Sequence, residues 1–112
     1  MPCIFCQIGS GEVPGQLLHR DDEVFAIRDI HPRAPTHILI ISQKHIPSLT
    51  EVTEGDAPLL GHMALVATHL ARQEGLAERG YRLVINCGPE GGQVVPHLHL
   101  HLLGGRSLGR EG

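Results

Sequence analysis

Three histidines alternate with leucines in residues 96–104, which read PHLHLHLLG. Because side chains of a β-strand point alternately to its two faces, His97, His99 and His101 share one face and the leucines share the other. This alternation predicts a half-buried strand whose leucines enter the core. The opposite face then carries three imidazoles, with neighbours about 6.6–6.8 Å apart.

The spacing of these imidazoles limits their chemistry. A zinc ion holds each ligand nitrogen at about 2.0–2.1 Å, so two neighbouring imidazoles can share an ion, whereas three in a row cannot easily do so. At least one histidine is therefore available for other chemistry. A glycine-rich loop, GPEGGQ at residues 88–93, leads into this strand, which favours a functional face over a chance run of surface histidines.

Cys3 and Cys6 form a second group of reactive side chains. Two cysteines at this spacing can place both thiolates on one metal ion or form a redox pair. They can also pack as small apolar residues in a short N-terminal turn. A single pair supplies only half of a tetrahedral zinc site, so a metal site requires two further ligands.

Composition excludes several classes of function. The chain has 112 residues and a formal net charge of -3, and Lys44 is its only lysine. A basic block interleaved with aromatic residues is absent from the sequence, so a polynucleotide is not an expected partner. The longest aliphatic run, residues 38–41, is too short to span a bilayer. Neither a secretory signal nor an even cysteine framework is evident, so we expect one cytoplasmic domain.

Hydrophobic patterning predicts the elements that position these residues. We expect strands over Leu17–Arg20, 23–28, Thr36–Ser42 and 81–86, the first two joined by a turn at residues 21–22. A helix is expected over 56–75, with Asp56 as its N-cap and an apolar stripe along one side. His62 and His69 fall on its polar side, where we expect both to be solvated. Strands, one long helix and strands in this order predict an α+β fold with an antiparallel sheet.

The sequence resembles the histidine triad superfamily, whose signature is three histidines alternating with apolar residues. The similarity extends to Asp29-Ile30, APTH at 34–37, GGQ at 91–93 and GGR at 104–106. It covers nearly the whole chain and is closest to the nucleotide-binding, nucleoside phosphoramidase branch. The resemblance implies a single domain over residues 1–112, with an antiparallel sheet of about five strands, one long helix and a short N-terminal helix. It also implies a homodimer that joins the two sheets.

The same resemblance implies a hydrolase that cleaves purine nucleoside phosphoramidates or related nucleotides at the α-phosphate. His99 is the implied nucleophile, and a neutral imidazole, whose usual pKa is near 6.5, is well suited to form a nucleotidyl-histidine at pH 7. His101 and His37 are expected to donate to the phosphate or the leaving group, and His97 completes the catalytic set. The expected nucleotide contacts are Phe5, Val13, Ile27, Asp29, Ile30, Asn86, Gly92, Gln93 and Val94. The residues alone favour a different interpretation of Asp29, as a turn carboxylate that caps its own loop.

Some members of the superfamily bind zinc through two cysteines and two histidines, and the resemblance places these ligands at Cys3, Cys6, His45 and His97. Such a closed set suits a structural ion. Val94 departs from the branch, which commonly has a hydroxyl residue after Gly-Gly-Gln, so one side-chain donor to the phosphate is lost. Two alternatives stay open: a nucleotide-binding regulatory module with little catalysis, and a small metal-dependent barrel that uses a His-x-His pair.

Overall fold

A run of β-branched and aliphatic residues, THILIIS, forms the central strand of the sheet in the computed structural model, which describes residues 3–111. All seven residues of this strand are buried, because neighbouring elements cover both of its faces. In chain order the elements are α1 (Ile4–Ser10), β1 (Leu17–Arg20), β2 (Val24–Arg28), β3 (Thr36–Ser42), α2 (Ala57–Gln73), β4 (Tyr81–Val84) and β5 (His99–Gly104), with 3₁₀ turns at Leu49–Glu51 and Glu54–Asp56.

The five strands form one antiparallel sheet in the order β1-β2-β3-β5-β4. The histidine strand β5 therefore lies between β3 and β4. Its register places His99 opposite Ile41 and His101 opposite Leu39. The predicted α+β fold, with a five-stranded antiparallel sheet, one long helix and a short N-terminal helix, is confirmed.

The two faces of the sheet have different covers. The apolar stripe of α2 packs on one face, where it meets the inward residues of β2, β3 and β5, including Leu100 and Leu102, and Leu98, which directly precedes β5. On the other face, Phe5 of α1 packs with a second cluster, which consists of Phe25, Ile27, Leu39 and Ile41. The second face also carries the histidines, so α1 and the histidines lie on the same side of the sheet.

This arrangement corrects the prediction of a half-buried histidine strand. The leucines are buried as expected, but His97 is 0% exposed and His99 only 7% exposed. Phe5 lies edge-on against both rings, with ring centroids 5.9 Å from His97 and 5.0 Å from His99. The regular strand also begins at His99, so His97 lies in the irregular segment that precedes it.

Other boundaries shift by one or two residues. The long helix covers Ala57–Gln73 within the predicted 56–75. Asp56 occupies its N-cap position, but its carboxylate accepts from the backbone N–H of Thr53 in the preceding turn. Strand β2 begins one residue later than predicted and β4 ends two residues earlier. No helix within residues 3–111 has the length and apolar character that crossing a membrane requires.

The prediction for the polar side of α2 is right for one histidine and wrong for the other. His69 is exposed to solvent as expected. His62 is partly buried, because its Nε2 lies 2.7 Å from Oδ2 of Asp21 at the turn between β1 and β2.

Candidate active site and metal-ligand cluster

A cavity of about 600 Å³ opens on the histidine side of the sheet, within the usual size range for small-molecule sites. Its lining brings together most of the residues that the sequence singled out: Phe5, Ile27, Asp29, Ile30, His37, Asn86, Gly92, Val94, His99 and His101. Val13, Gln93 and His97 are not among the lining residues. Ile30 and Val94 are each 86% exposed at its mouth, so both present apolar surface that a planar base can cover.

His99 is held in one orientation by its own chain. Its Nδ1–H donates to the backbone carbonyl of His97 over 2.6 Å. Burial lowers the pKa of His99 from its usual value, although this hydrogen bond partly offsets the effect. A neutral ring that carries its proton on Nδ1 has its lone pair on Nε2, so Nε2 is the atom of this ring that can act as a nucleophile or accept a hydrogen bond.

His37 and His101 form a hydrogen-bonded chain with a fixed direction. The backbone N–H of Arg33 donates to Nδ1 of His37 over 3.0 Å, so the proton of the neutral ring is on Nε2. That Nε2–H lies 2.9 Å from Nδ1 of His101 and donates to it. The proton of His101 is therefore on its own Nε2. His37 thus acts on His101, which is the ring that can present a donor to a ligand.

Burial keeps both rings of this chain neutral near pH 7. It is the main cause that lowers the pKa of His101 to about 4, with the neighbouring His99 and His37 adding to the effect. Burial also lowers the pKa of His37, against the opposing influence of Asp29, whose Oδ2 is 3.4 Å from Nε2 of His37. The hydrogen bonds from Arg33 to His37 and from His37 to His101 require both rings to be neutral.

This shifted pKa predicts a pH-dependent stability. The pKa of His101 is about 4 in the folded protein and near 6.5 in an unfolded chain, so between these values the unfolded state binds more protons. The contribution to stability is present above about pH 6.5 and is lost as the pH falls towards 4. We expect the free energy of unfolding from urea titrations to fall over this range, and to fall less in His101→Gln. An equal fall in His101→Gln and wild type would contradict this, and His69→Gln, which alters an exposed ring, is the control.

The other polar residues of the cavity are braced by its loops. Asp29 Oδ1 accepts from the backbone N–H of His31 over 2.8 Å, so it caps its own turn, while Oδ2 faces His37. Asn86 Nδ2 donates to the carbonyl of Gly91 over 2.7 Å. Gly91 is required there, because a Cβ at this position would lie 2.2 Å from the carbonyl oxygen of Cys87.

The amide groups of the glycine-rich loop differ in availability. The Gly92 N–H donates to Pro89 and the Gln93 N–H to Gly88 within the loop. The Gln93 side chain donates to the carbonyls of Pro47 and Val95. Within residues 3–111 the N–H of Val94 donates to no carbonyl. Val94 therefore offers a free amide at the end of this loop, and the structure gives Gln93 a bracing role.

The four side chains of the implied zinc set lie together beside the cavity. Nδ1 of His97 is 3.3 Å from Sγ of Cys3, 3.5 Å from Sγ of Cys6 and 3.1 Å from Nδ1 of His45. Tetrahedral zinc, with bonds of about 2.0–2.1 Å to nitrogen and about 2.3 Å to sulfur, places neighbouring ligand atoms roughly 3.3–3.8 Å apart. Nε2–H of His97 donates to the carbonyl of Ser42 over 2.7 Å, which directs the Nδ1 lone pair at the cluster. The donor set and its spacing therefore fit zinc.

Sequence reasoning missed the groups that fix the tautomers. They are the N–H of Arg33 and the carbonyl of His97, both from the backbone. Backbone groups leave no signal in residue identity, so the pattern of side chains could not have revealed them.

Comparison with known proteins supports this fold and shows the family. The HIT domain family model matches residues 10–108. A purine nucleoside phosphoramidase from Escherichia coli strain K12 is 51% identical over 106 residues, which cover 95% of this chain and 89% of that protein. A HIT family hydrolase structure from Legionella pneumophila Philadelphia 1 has a TM-score of 0.95 and 49% identity, and the match covers 96% of each chain. A histidine triad protein from Clostridium difficile also has a TM-score of 0.95, with 39% identity over 100% of this chain and 97% of that one. The chain belongs to the HIT domain family.

Proposed function

We propose that the protein is a hydrolase that cleaves purine nucleoside phosphoramidates, or related nucleotides, at the α-phosphate through a nucleotidyl-histidine at His99. The observation that carries this proposal is the 2.6 Å hydrogen bond from Nδ1–H of His99 to the carbonyl of His97, which leaves Nε2 as a nucleophile in the cavity. The relatives named a purine nucleoside phosphoramidase and a HIT family hydrolase support the same reaction class.

The reaction follows from the described hydrogen bonds. The Nε2 lone pair of His99 attacks the α-phosphorus, and the bond from phosphorus to the leaving group breaks. Positive charge develops on the ring during attack, and the carbonyl of His97 stabilises it through Nδ1–H. His101, oriented by His37, donates from Nε2–H to a phosphate oxygen or to the leaving group. Water then attacks the nucleotidyl-histidine and releases the nucleoside monophosphate.

The rest of the cavity suits the remainder of a nucleotide. The apolar side chains of Phe5, Ile27 and Ile30 provide walls for a purine. Oδ2 of Asp29 accepts from ribose hydroxyls, and Asn86, which lines the same side as the glycine-rich loop, lies towards the phosphate or ribose edge. The free N–H of Val94 faces the charge that develops on phosphate.

A substrate panel separates this proposal from a regulatory module. We would measure turnover of adenosine and guanosine phosphoramidates and of dinucleoside polyphosphates, beside the affinity for AMP. The hydrolase proposal expects turnover of at least one phosphoramidate. Affinity for AMP without turnover of any member of the panel would instead support the regulatory module. A small metal-dependent barrel would need a carboxylate ligand after the triad, where the described chain offers only Glu111, and more strands than the five of this sheet.

Val94 gives a specific prediction for turnover. Val94→Thr keeps the shape of the side chain and adds a hydroxyl at the mouth of the cavity. A hydrogen bond to a charged phosphate contributes about 1.5–3 kcal/mol, so we expect kcat/KM for a phosphoramidate to rise by roughly 10- to 150-fold. Val94→Ala, which adds no donor, should show no rise. Because Val94 is exposed, neither change should alter folding. An equal response of the two variants would refute the role of a missing donor.

We also propose that Cys3, Cys6, His45 and His97 hold a structural zinc ion. The spacing of the four donor atoms and the hydrogen bond from His97 to Ser42 support this proposal, since metal-bound histidines typically donate their other ring N–H to such an acceptor. The ion supplies a fixed crosslink and takes no part in the reaction. Cys3 and Cys6 flank Phe5 on the chain, so a bound ion anchors α1 and keeps Phe5 against His99.

We propose that two chains form a homodimer through an edge strand of the sheet. Strand β4 is an edge strand next to β5, and its Leu83 is exposed. An unpaired edge with an exposed apolar residue is a template for pairing with another strand, and a second copy of β4 is the proposed occupant. We expect light scattering to give twice the chain mass for wild type and a shift towards the monomer for Leu83→Arg. A wild-type monomer at micromolar concentration would contradict the dimer.

We further propose a single cytoplasmic domain. All three cysteines are free thiols in the structure, and thiolate metal ligands persist where the compartment is reducing.

A further inference from the structure

A second group of metal-ligating side chains lies apart from the nucleotide cavity, where the β1–β2 hairpin meets α2. His19 belongs to β1, Asp21 to the following turn and His62 to α2. Nε2 of His19 and Nε2 of His62 lie 2.6 Å and 2.7 Å from the same oxygen, Oδ2 of Asp21. None of the three lines the cavity, and the proposed hydrolysis makes no use of them.

The carboxylate at the centre of this group is held in place. Oδ1 of Asp21 accepts from the backbone N–H groups of Glu23 and Val24 over 2.8 Å and 2.9 Å. This leaves Oδ2 directed at the two imidazoles. Although burial opposes ionisation, hydrogen bonds from His19 and His62 hold the pKa of Asp21 well below its usual range, so the centre of the group carries a negative charge.

Two imidazole nitrogens and one carboxylate oxygen are a typical donor set for zinc and similar ions. The three donor atoms lie within 4.8 Å of one another. An ion with bonds of about 2.0–2.2 Å needs its ligand atoms roughly 3.2–3.5 Å apart. The two rings, each about one-third exposed, reach that spacing by moving outward by less than about 1 Å.

We propose that His19, Asp21 and His62 bind one divalent transition-metal ion of the zinc class, with water completing its coordination. The ion takes the place of the two Nε2–H hydrogens that bridge the rings to Asp21, and each neutral ring then carries its proton on Nδ1. It fastens the β1–β2 hairpin to α2, because His62 is 41 positions from Asp21. This site is separate from the cysteine cluster and does not depend on the proposed hydrolysis.

Cobalt(II) titration of chelator-treated protein distinguishes the two metal sites. Cobalt bound by Cys3 and Cys6 gives an intense thiolate charge-transfer band, whereas cobalt bound by two histidines and a carboxylate gives only weak visible bands. We expect wild type and His69→Gln, which alters an exposed ring on the same helix, to bind cobalt at both kinds of site. His62→Gln should keep the thiolate band and lose the second site, with affinity reduced by more than about tenfold, since even the loss of a supporting outer group costs 10- to 100-fold.

Zinc-dependent stability gives a second readout in the same variants. Once the thiolate band is saturated, further zinc should raise the Tm of wild type and His69→Gln and leave that of His62→Gln unchanged. Identical cobalt isotherms and identical Tm responses in all three proteins would overturn the proposal. A wild-type spectrum that contains the thiolate class alone would overturn it as well.

Discussion

Replacing His99 with alanine is expected to lower the turnover of an adenosine phosphoramidate by about 10⁴-fold or more, which is the scale of effect seen when a covalent nucleophile is removed. The reason is specific to this site. His101 cannot replace it, because its Nδ1 accepts from His37 and its Nε2 carries the proton, which leaves no lone pair for the phosphorus. His97 cannot replace it either, because its Nε2–H is hydrogen-bonded to the carbonyl of Ser42 and its Nδ1 faces the cysteine cluster. The measurements are the turnover rate from steady-state kinetics and the affinity for AMP from a titration.

Binding serves as the control for this variant. His99 lies against Phe5, so its loss leaves a small space beside the purine wall, but Asp29 and the Val94 amide remain. We expect affinity for AMP to change little and the unfolding transition to stay cooperative. His69→Ala, which changes an exposed residue of α2, should retain wild-type turnover. Turnover in His99→Ala within about tenfold of wild type would refute the assignment of the nucleophile.

Removal of the proposed structural zinc is expected to have the second-largest effect. An ion present at about 1,000 times its Kd stabilises the folded state by about 4 kcal/mol, so its loss should lower the Tm of a domain of this size by roughly 15 °C. Turnover should also fall, because the His97 carbonyl holds His99 and the His97 ring belongs to the cluster. Elemental analysis, Tm and kcat of Cys6→Ser are the measurements.

Cys87 provides a matched control for that variant. It is the third cysteine of the chain, partly buried like Cys3, and it lies outside the ligand cluster. We expect Cys87→Ser to keep the wild-type zinc content and to unfold close to the wild-type temperature. Wild-type protein purified without chelator that contains no metal would remove the zinc proposal, and so would equal Tm values for the two serine variants.

Much of the fold was predictable because its signals are local. Strand β3 has the predicted bounds, Thr36–Ser42, since a short run of β-branched and aliphatic residues favours a strand that packs on both faces. The alternation of Leu98, Leu100 and Leu102 correctly predicted their burial. The motif also selected residues that meet at the cavity, although the path of the backbone decides which of them line it: Val94 does, whereas Gln93 braces the loop.

The features that could not be predicted from the sequence depend on contacts between residues that are distant along the chain. The histidine face is buried because Phe5, more than 90 positions from His97, packs over it. His62 is tied to Asp21 from another element, which no helical periodicity reveals. Which nitrogen of His101 carries the proton depends on the backbone N–H of Arg33, which acts on His101 through the ring of His37.

Rapid-quench peptide mass spectrometry during turnover of an adenosine phosphoramidate can show whether His99 becomes bonded to phosphorus. We expect a transient adduct of one nucleoside monophosphate on the peptide that contains residues 97–101, localised to His99, formed at least as fast as steady-state turnover and absent from His99→Ala. An adduct on a different residue, or sustained turnover with no adduct at any time, would contradict this expectation.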